Sequence, residues 1–344
     1  MTVFSLSVHA HYACGHSGAC CTAGWNIPVD PHLQTQLGAT ILVPDASGTC
    51  LFFDRPTRLC RVHRDHGEAL LPATCRQFPR RALVDDRGVF VTLSHFCPTA
   101  ARMLVDDPHP LTIVANPPAF PATRDYDGLD ARGAWPPLVR PRVLFDLATY
   151  SRWERFVVNT LDGDAAVEDA FATIAHAAED LRAWTPERGT LAAWMESVLS
   201  STARTGAARA LDCYAPLIEG AYARVCRMVP AGLPAPEPQD SVDRVWDVYA
   251  RPEWPYAARA VRRYCAAKAF GGWSAYQSRG MRTLIAEMLV SEQVLRVEAA
   301  RACQKAERPL DRELLIDAIR ASDHLLVHLV DRDALVDWLG AVEG

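Results

Sequence analysis

Residues 82–105 read ALVDDRGVFVTLSHFCPTAARMLV and predict three consecutive elements of structure. The apolar runs at 82–84 and 89–93 flank the turn-forming residues DDRG, a pattern typical of a β-hairpin. Pro98 suits the first turn of a helix, because its missing N–H would have no partner there. The stretch therefore predicts two paired strands followed by a helix, with Cys97 at the junction.

Shorter elements are predicted on the amino-terminal side of this stretch. Residues 50–54 and 59–62 each resemble a short strand, and the segment RPTR at 55–58 between them favours a turn. Residues 67–75 predict at most a short helix. Together with residues 82–105, these elements predict an α+β module with short hairpins.

The remainder of the chain changes character twice. Residues 107–142 contain eight prolines, which exclude a long helix or a central strand and predict an extended segment that crosses the surface. From Val143 onward apolar residues recur at helical spacing, and Asp311 is a suitable N-cap for one of these helices. The fold class predicted is α+β, mainly α. The predicted division is a cysteine-rich module at 1–106, a crossing segment at 107–142 and a helical bundle at 143–344.

The composition excludes several functional classes. Hydrophobic residues make up 49% and charged residues 22% of the 344 residues, as in globular proteins. The net charge of −5 argues against a broad nucleic-acid-binding surface. No apolar run approaches the ~18 residues of a membrane span, and the first residues lack the features of a secretory signal. We therefore expect a cytoplasmic protein that binds neither nucleic acid nor membrane.

Cysteine is concentrated near the amino terminus. The chain has eleven cysteines, and eight of its eleven histidines lie between His9 and His109. Seven of the cysteines fall in the first 97 residues: Cys14, Cys20, Cys21, Cys50, Cys60, Cys75 and Cys97. In a reducing compartment such a cluster indicates metal binding, whereas buried structural thiols, a disulfide or a redox pair are the alternatives.

The cluster leaves the metal and its ligand set open. Tetrahedral zinc and a [4Fe-4S] cluster each take about four thiolates, so seven cysteines exceed the need of one site. Cys20 and Cys21 both reach one metal only if the chain turns tightly there; otherwise one of them packs. Cys97 precedes a helix start, where the helix dipole favours a thiolate. His16, His63 and His66 could complete a site or be ordinary surface histidines.

Five segments taken together are more specific than the cysteine spacing. They are CGHSGACC at 14–21, GWNIPVD at 24–30, CLFF at 50–53, LCRVHRDHGEALLPATCRQFPR at 59–80 and SHFCPTAARML at 94–104. This combination resembles the YkgJ-type cysteine-cluster family of zinc- or iron-chelating proteins, in its flagellin lysine-N-methylase branch. The resemblance covers about residues 12–104 and is weaker over 311–328. Two departures are the extra residue in CCTAGW and the Ser17-Gly18 pair, where the broader family often has a further cysteine.

The resemblance implies S-adenosylmethionine-dependent methylation of a protein lysine, with flagellin as a possible substrate and an iron–sulfur or metal centre. No glycine-rich methyl-donor loop follows a strand in this chain. The competing hypothesis is a zinc- or iron–sulfur-binding protein of the same family without methylase activity. A third hypothesis is a structural zinc module attached to a helical interaction domain.

Methyl transfer requires a deprotonated lysine amine aligned with the donor, so a carboxylate or tyrosine near the site would help. Within the cysteine-rich region the candidates for this role are Tyr12, Asp30 and Glu68, each of which could instead be structural. The candidates for binding S-adenosylmethionine are Trp25 through ring contact, and Arg76 and Arg80 through a ligand carboxylate. His324 and His328 share one helix face and are either a ligand pair or ordinary helix-face histidines.

Overall fold

A computed structural model describes residues 1–200, 207–237, 242–277 and 279–343. Its largest sheet has five strands in the order β8-β1-β7-β6-β9. The strands are β1 (Val3–Leu6), β6 (Arg80–Asp85), β7 (Gly88–Leu93), β8 (Ile113–Ala115) and β9 (Gly128–Asp130). The predicted hairpin is confirmed, since β6 pairs antiparallel with β7 and places Leu83 opposite Phe90.

The proline-rich segment supplies both edges of this sheet. β8 pairs antiparallel with β1, and β9 pairs parallel with β6. Proline is tolerated at sheet edges because an edge strand leaves part of its backbone unpaired. Two further strands, β10 (Leu138–Arg140) and β11 (Val143–Leu144), form a separate pair, so the helical region begins slightly later than predicted.

Residues 14–75, which we call the cysteine lobe, consist of short elements. Two-residue strands form the pairs β2 (Ile27–Pro28) with β3 (Ile41–Leu42), and β4 (Phe53–Asp54) with β5 (Leu59–Cys60). The helices are α1 (Gln34–Leu37), α2 (Arg61–His66) and, at the end of the lobe, α3 (Ala73–Gln77). The hairpin predicted around residues 55–58 is confirmed. Val62 lies in α2 and not in a strand, because its side chain is buried against the lobe as the helix turns.

The helices of the rest of the chain give a mainly α fold, as predicted. They are α4 (Pro98–Asp106), α5 (Leu147–Asp162), α6 (Val167–Arg182), α7 (Leu191–Ser200), α8 (Ala215–Ile218), α9 (Ala221–Cys226), α10 (Asp243–Val245), α11 (Trp254–Ala269), α12 (Ser274–Gln277), α13 (Met281–Ala306), α14 (Arg312–Asp323) and α15 (Arg332–Leu339). The Asp311 carboxylate accepts a hydrogen bond from the Leu314 N–H at 3.0 Å, which confirms the predicted N-cap. A π-helical turn, His324–Leu329, continues directly from α14.

The sheet separates two apolar clusters. Side chains of successive β7 residues point to opposite faces, so Phe90 joins the large core shared with the helices and Val91 joins a smaller cluster with Tyr12 and Cys97. The cysteine lobe has a third cluster of only four fully buried side chains. The division at residues 106 and 142 stays a prediction. Within the described ranges, no helix is both long and apolar enough to cross a membrane.

Candidate functional site

All seven amino-terminal cysteines line one cavity of about 180 Å³. The lining comes from the cysteine lobe on one side and from the start of the chain, β6 and α4 on the other. Of the remaining predicted site residues the cavity includes Tyr12, Trp25, Glu68, Arg76 and Arg80. His16 and His63 also line it, with ring centroids 6.1 Å apart. Residues spread over more than eighty positions of sequence therefore share one surface.

Tight turns bring the thiols of the lobe together. Gly18 adopts φ +73°, and an added Cβ there would lie 2.6 Å from the Phe53 ring, so only glycine fits. The Cys21 N–H then donates to the Gly18 carbonyl, and the Cys50 N–H donates to the Cys21 carbonyl at 2.7 Å. Cys20 and Cys21 both reach the cavity, with their Sγ atoms 3.9 Å apart.

This sulfur pair has the spacing of two ligands on one ion. A Zn–S bond of ~2.3 Å in a tetrahedral site places neighbouring sulfurs ~3.8 Å apart. Across the part of the chain that the structure describes, however, no three His, Cys, Asp or Glu side chains converge closely enough to hold one metal ion. The chemistry of the donors fits a soft metal centre, whereas the set of ligands stays a prediction.

Hydrogen bonds among the thiols favour two thiolates. The Cys21 thiol lowers the pKa of Cys60 to about 6, helped by the backbone N–H groups of His63 and Val62 at the start of α2. The same thiol lowers the pKa of Cys20, while sharing its proton raises the pKa of Cys21 itself. Thiolates are the form that binds metals, so Cys60 is the donor that ionises most readily.

Burial acts in the opposite direction on two other thiols. Desolvation raises the pKa of Cys50, and it raises the pKa of Cys75 to about 12. Without a metal these two thiols stay protonated at neutral pH, since the surrounding protein removes water that would solvate a thiolate. A positively charged centre would reverse this preference at both positions.

Cys97 occupies the most buried position of the seven. It is 5% exposed and is the N-cap residue of α4, as the position of Pro98 predicts. The Tyr12 hydroxyl lies 3.7 Å from Cys97 Sγ. Burial and the neighbouring Cys97 raise the pKa of Tyr12, so its phenol stays protonated and can donate a hydrogen bond.

The two carboxylate candidates, Glu68 and Asp30, accept hydrogen bonds from different partners. Both carboxylate oxygens of Glu68 accept from Arg124, at 2.9 and 3.0 Å, and this pairing lowers the pKa of Glu68. Asp30 lies outside the cavity lining and accepts from the Ala73 N–H at 2.7 Å, a tether between β2 and α3. These contacts give Asp30 a structural setting and leave Glu68 as the carboxylate in the cavity.

Among the described residues, Arg80 has no carboxylate in a salt bridge with it. Its Nη1 donates to the Arg76 carbonyl at 3.2 Å, whereas its Nε is buried and has no hydrogen-bond partner among the described residues. Burial, followed by repulsion from Arg124, lowers the pKa of Arg80. A half-buried guanidinium with a free Nε–H is a binding position for a carboxylate or another anionic group.

Trp25 forms the wall between the cavity and the helices. Its ring stacks on His328 at a centroid distance of 4.6 Å and contacts Phe96 at 5.2 Å and Phe78 at 5.5 Å. His324 stacks on Phe96 at 4.7 Å. The two histidines that share a helix face thus form an aromatic layer behind Trp25, and neither lines the cavity.

Behind this layer lies a polar network that sequence reasoning missed. His9 Nε2 is 3.1 Å from His95 Nε2, His95 Nδ1 is 3.5 Å from Asp323 Oδ2, and the His95 backbone N–H donates to the same oxygen. Lys268 donates to Asp323 Oδ1. Although burial opposes it, Lys268 and then His95 hold the pKa of Asp323 well below its usual range. Partners this distant in sequence leave no local pattern.

The comparisons with known proteins support the predicted resemblance to the lysine-N-methylase branch. The flagellar biosynthetic protein FliU of Salmonella muenchen is 27% identical over 141 residues, which cover 33% of this chain and 82% of FliU. The lysine-N-methylase of Salmonella choleraesuis (strain SC-B67) is 27% identical over 141 residues, covering 33% of this chain and 35% of that protein. No family model matches the chain, and no solved structure matches it. This chain is therefore distantly similar to a lysine-N-methylase over a third of its length, and the broader cysteine-cluster family stays a prediction.

Proposed function

We propose that this protein is a protein-lysine N-methyltransferase that binds a thiolate-ligated metal centre and S-adenosylmethionine in the cysteine-lined cavity. The observation that carries the proposal is the convergence of seven thiols with Trp25 and Arg80 on one surface. The similarity to a flagellar biosynthetic protein and to a lysine-N-methylase supports flagellin as the protein substrate.

The metal centre proposed is a [4Fe-4S] cluster. In such a cluster each iron takes its own thiolate and the ligand sulfurs stand further apart than those around a single zinc ion. Only one of Cys20 and Cys21, whose sulfurs are 3.9 Å apart, would therefore ligate it. The seven thiols that line the cavity exceed the four ligands that such a cluster takes. Cys60, the thiol that ionises most readily, would be first among the ligands. Bound there, the cluster would supply electron transfer or Lewis-acid chemistry.

The walls of the cavity match the two ends of the methyl donor. The Arg80 guanidinium, which lacks an anionic partner among the described residues, would bind the carboxylate of S-adenosylmethionine. Trp25 would hold the sulfonium or the adenine by ring contact. The aromatic layer of Phe96 and His328 fixes the orientation of Trp25, so this contact does not depend on a mobile side chain.

The substrate lysine must arrive without its proton. Phe52, Phe78 and Trp25 give the cavity apolar surface, and desolvation there favours a neutral amine. Glu68 is the carboxylate on the same surface that would accept the proton, directly or through water. Its pairing with Arg124 weakens it as a base, so desolvation of the amine supplies the larger part of the effect.

The experiment that tests the proposal starts with anaerobic purification. Iron and sulfide analysis, absorption near 400 nm and calorimetric titration with S-adenosylmethionine are measured on wild-type protein, Cys60→Ser and Cys213→Ser. We expect iron and sulfide in the wild type and in Cys213→Ser, whose exposed thiol is remote from the cavity, and a large loss in Cys60→Ser. Failure of cluster-replete wild-type protein to bind S-adenosylmethionine would refute the methylase proposal.

A second candidate is a metal-binding protein without methylase activity. It is favoured by the partial match, since the aligned region spans only 35% of the lysine-N-methylase. The same measurements separate the two candidates. A metal centre without S-adenosylmethionine binding supports this second function, whereas binding of both supports the first.

A further inference from the structure

We infer that Tyr12 is a positioning residue for Cys97: its hydroxyl donates a hydrogen bond to Cys97 Sγ and thereby tunes the metal centre that this sulfur ligates. The oxygen–sulfur distance is 3.7 Å, and both side chains line the cavity. The inference rests on the proposed function in one respect, the binding of a metal centre by the cavity thiols with Cys97 among the ligands.

Cys97 differs from the other six cysteines in its surroundings. It is buried, whereas the other six are half-buried or exposed. A ligating sulfur in such a place cannot receive hydrogen bonds from bulk water, so it depends on protein donors. The following residue is Pro98, which has no N–H, and Cys97 makes no side-chain cap bond with α4. Among the described residues, the hydrogen bond that reaches this sulfur from a side chain is that of Tyr12.

Two facing turns fix this hydrogen bond. On one, the Tyr12 N–H donates to the His9 carbonyl at 3.0 Å, and on the other the Cys97 N–H donates to the Ser94 carbonyl at 3.3 Å. The turns are joined a second time by the His9 and His95 rings, 3.1 Å apart. Two side-chain contacts therefore join the segment of Tyr12 to the segment of Cys97. The contact between His9 and His95 is buried, and the contact between Tyr12 and Cys97 lies at the cavity.

The buried link is anchored to the helices. Asp323 accepts from the His95 backbone N–H and lies 3.5 Å from His95 Nδ1, and His95 Nε2 is hydrogen-bonded to His9 Nε2. Lys268 neutralises Asp323. The position of the Tyr12 hydroxyl is thus set by the rigid sheet and helices rather than by the small cysteine lobe, as a tuning donor requires.

The effect of such a donor on a metal centre has a known direction. A hydrogen bond to a ligating sulfur withdraws electron density and stabilises the reduced, more negative state, which raises the reduction potential. It also lowers the energy of the sulfur electrons, so thiolate-to-metal charge transfer requires more energetic light. Removing the hydroxyl should lower the potential and shift the absorption to longer wavelength.

The test compares Tyr12→Phe with the matched control Tyr126→Phe. Tyr126 packs against the same apolar cluster, but its hydroxyl donates to the Pro121 carbonyl at 3.1 Å. Each full-length protein is reconstituted anaerobically with ferrous iron and sulfide for a dye-mediated redox titration, and separately with Co²⁺ for absorption spectra. We expect unchanged metal content in both variants, and a lower potential with red-shifted charge-transfer bands only in Tyr12→Phe.

Tyr12→3-fluorotyrosine provides a second variant that retains the hydroxyl and makes it a stronger donor. It should move the potential and the bands in the direction opposite to Tyr12→Phe. Potentials and spectra equal to those of the wild type in both Tyr12 variants, at full metal content, would refute the tuning role and leave the proposed function intact. Wild-type protein that takes up neither iron and sulfide nor Co²⁺ would refute the proposed function, and the tuning role with it.

Discussion

The cysteines of the two halves of this chain occupy opposite environments. Seven amino-terminal thiols share one cavity, whereas Cys226, Cys265 and Cys303 are buried at separate positions on α9, α11 and α13. A thiol that is surrounded by apolar side chains behaves as a small hydrophobic residue. The comparison teaches that the number of thiols sharing one surface, and not the residue type alone, distinguishes candidate ligands from packing residues.

The two halves also differ in what stabilises them. The helical half, residues 147–343, has an extended apolar core, and the buried charges of Lys268 and Asp323 pair with each other within it. The cysteine lobe has an apolar cluster of four buried side chains and strands of two residues. So small a core does not offset the conformational entropy of ordering the lobe, and ligation of its thiols is the natural source of the missing stability.

The largest effect expected is on the lobe when the metal is removed. Structural metal binding contributes on the order of 10 kcal/mol in small domains, and here that contribution would fall on the lobe alone. After chelation, amide hydrogen exchange of residues 19–66 should approach that of an unfolded peptide, while α13 stays protected. Equal protection of the lobe before and after chelation would contradict the contrast drawn between the halves.

The helical half should be sensitive to the loss of one buried charge. Asp323→Ala leaves Lys268 buried without its partner and should lower the free energy of unfolding by about 3–5 kcal/mol, measured by denaturant titration. Asp317→Ala is the control, since Asp317 is exposed and pairs with Arg320 at 3.2 Å. This control should lower the free energy of unfolding by less than about 1 kcal/mol. A similar small cost for both variants would show that the buried network does not stabilise this half.

Acid should weaken the contact between the halves. Burial lowers the pKa of His328, which stacks on Trp25, from 6.5 to about 3. The unfolded state therefore binds a proton below pH 6.5 that the folded state does not, and stability falls as the pH decreases through this range. His328 alone should contribute a loss on the order of 2 kcal/mol between pH 7 and pH 5.

The matched variants for this pH dependence are His328→Gln and His109→Gln. The first removes the titrating group and keeps a side chain that can bond to the Ser94 hydroxyl, so its stability should vary less between pH 7 and pH 5. His109 is 78% exposed, and its replacement should leave the pH profile unchanged. If stability depended on pH in the same way in His328→Gln and in wild-type protein, His328 would not be the cause of the loss of stability in acid.

The smallest effect on stability is expected from replacing a cysteine, and it compares a buried thiol of the helices with a thiol of the cavity. Cys265→Ser places a hydroxyl in the apolar interior of α11 and should cost about 1 kcal/mol, because serine can bond to the helix backbone. Its metal content should equal that of the wild type. Cys75→Ser should instead reduce the metal content and leave the free energy of unfolding of the helical half nearly unchanged. Loss of metal in Cys265→Ser would contradict the separation of the two groups of thiols.

Local patterns in the sequence predicted local structure well. The hairpin of β6 and β7, the helix that begins at Pro98 and the cap at Asp311 each depend on a few neighbouring residues, and each is confirmed. Val62 was assigned to a strand from its apolar neighbours but lies in α2, because a two-residue strand pair cannot be told from a helix start by alternation. The cysteines were recognised as one group from their number and clustering alone.

Contacts between distant residues could not be predicted in the same way. Nothing near His328 in the sequence indicates that Trp25 stacks on it, and nothing near His95 indicates Asp323. The amino-acid sequence by itself determined that soft donors are abundant in the first hundred residues and which short elements carry them. The tertiary structure alone decided that these thiols face one cavity, that Tyr12 meets Cys97 and that Arg80 has no anionic partner among the described residues. The physical reason is that turns and caps depend on bonded neighbours, whereas burial and pairing depend on how separate segments pack.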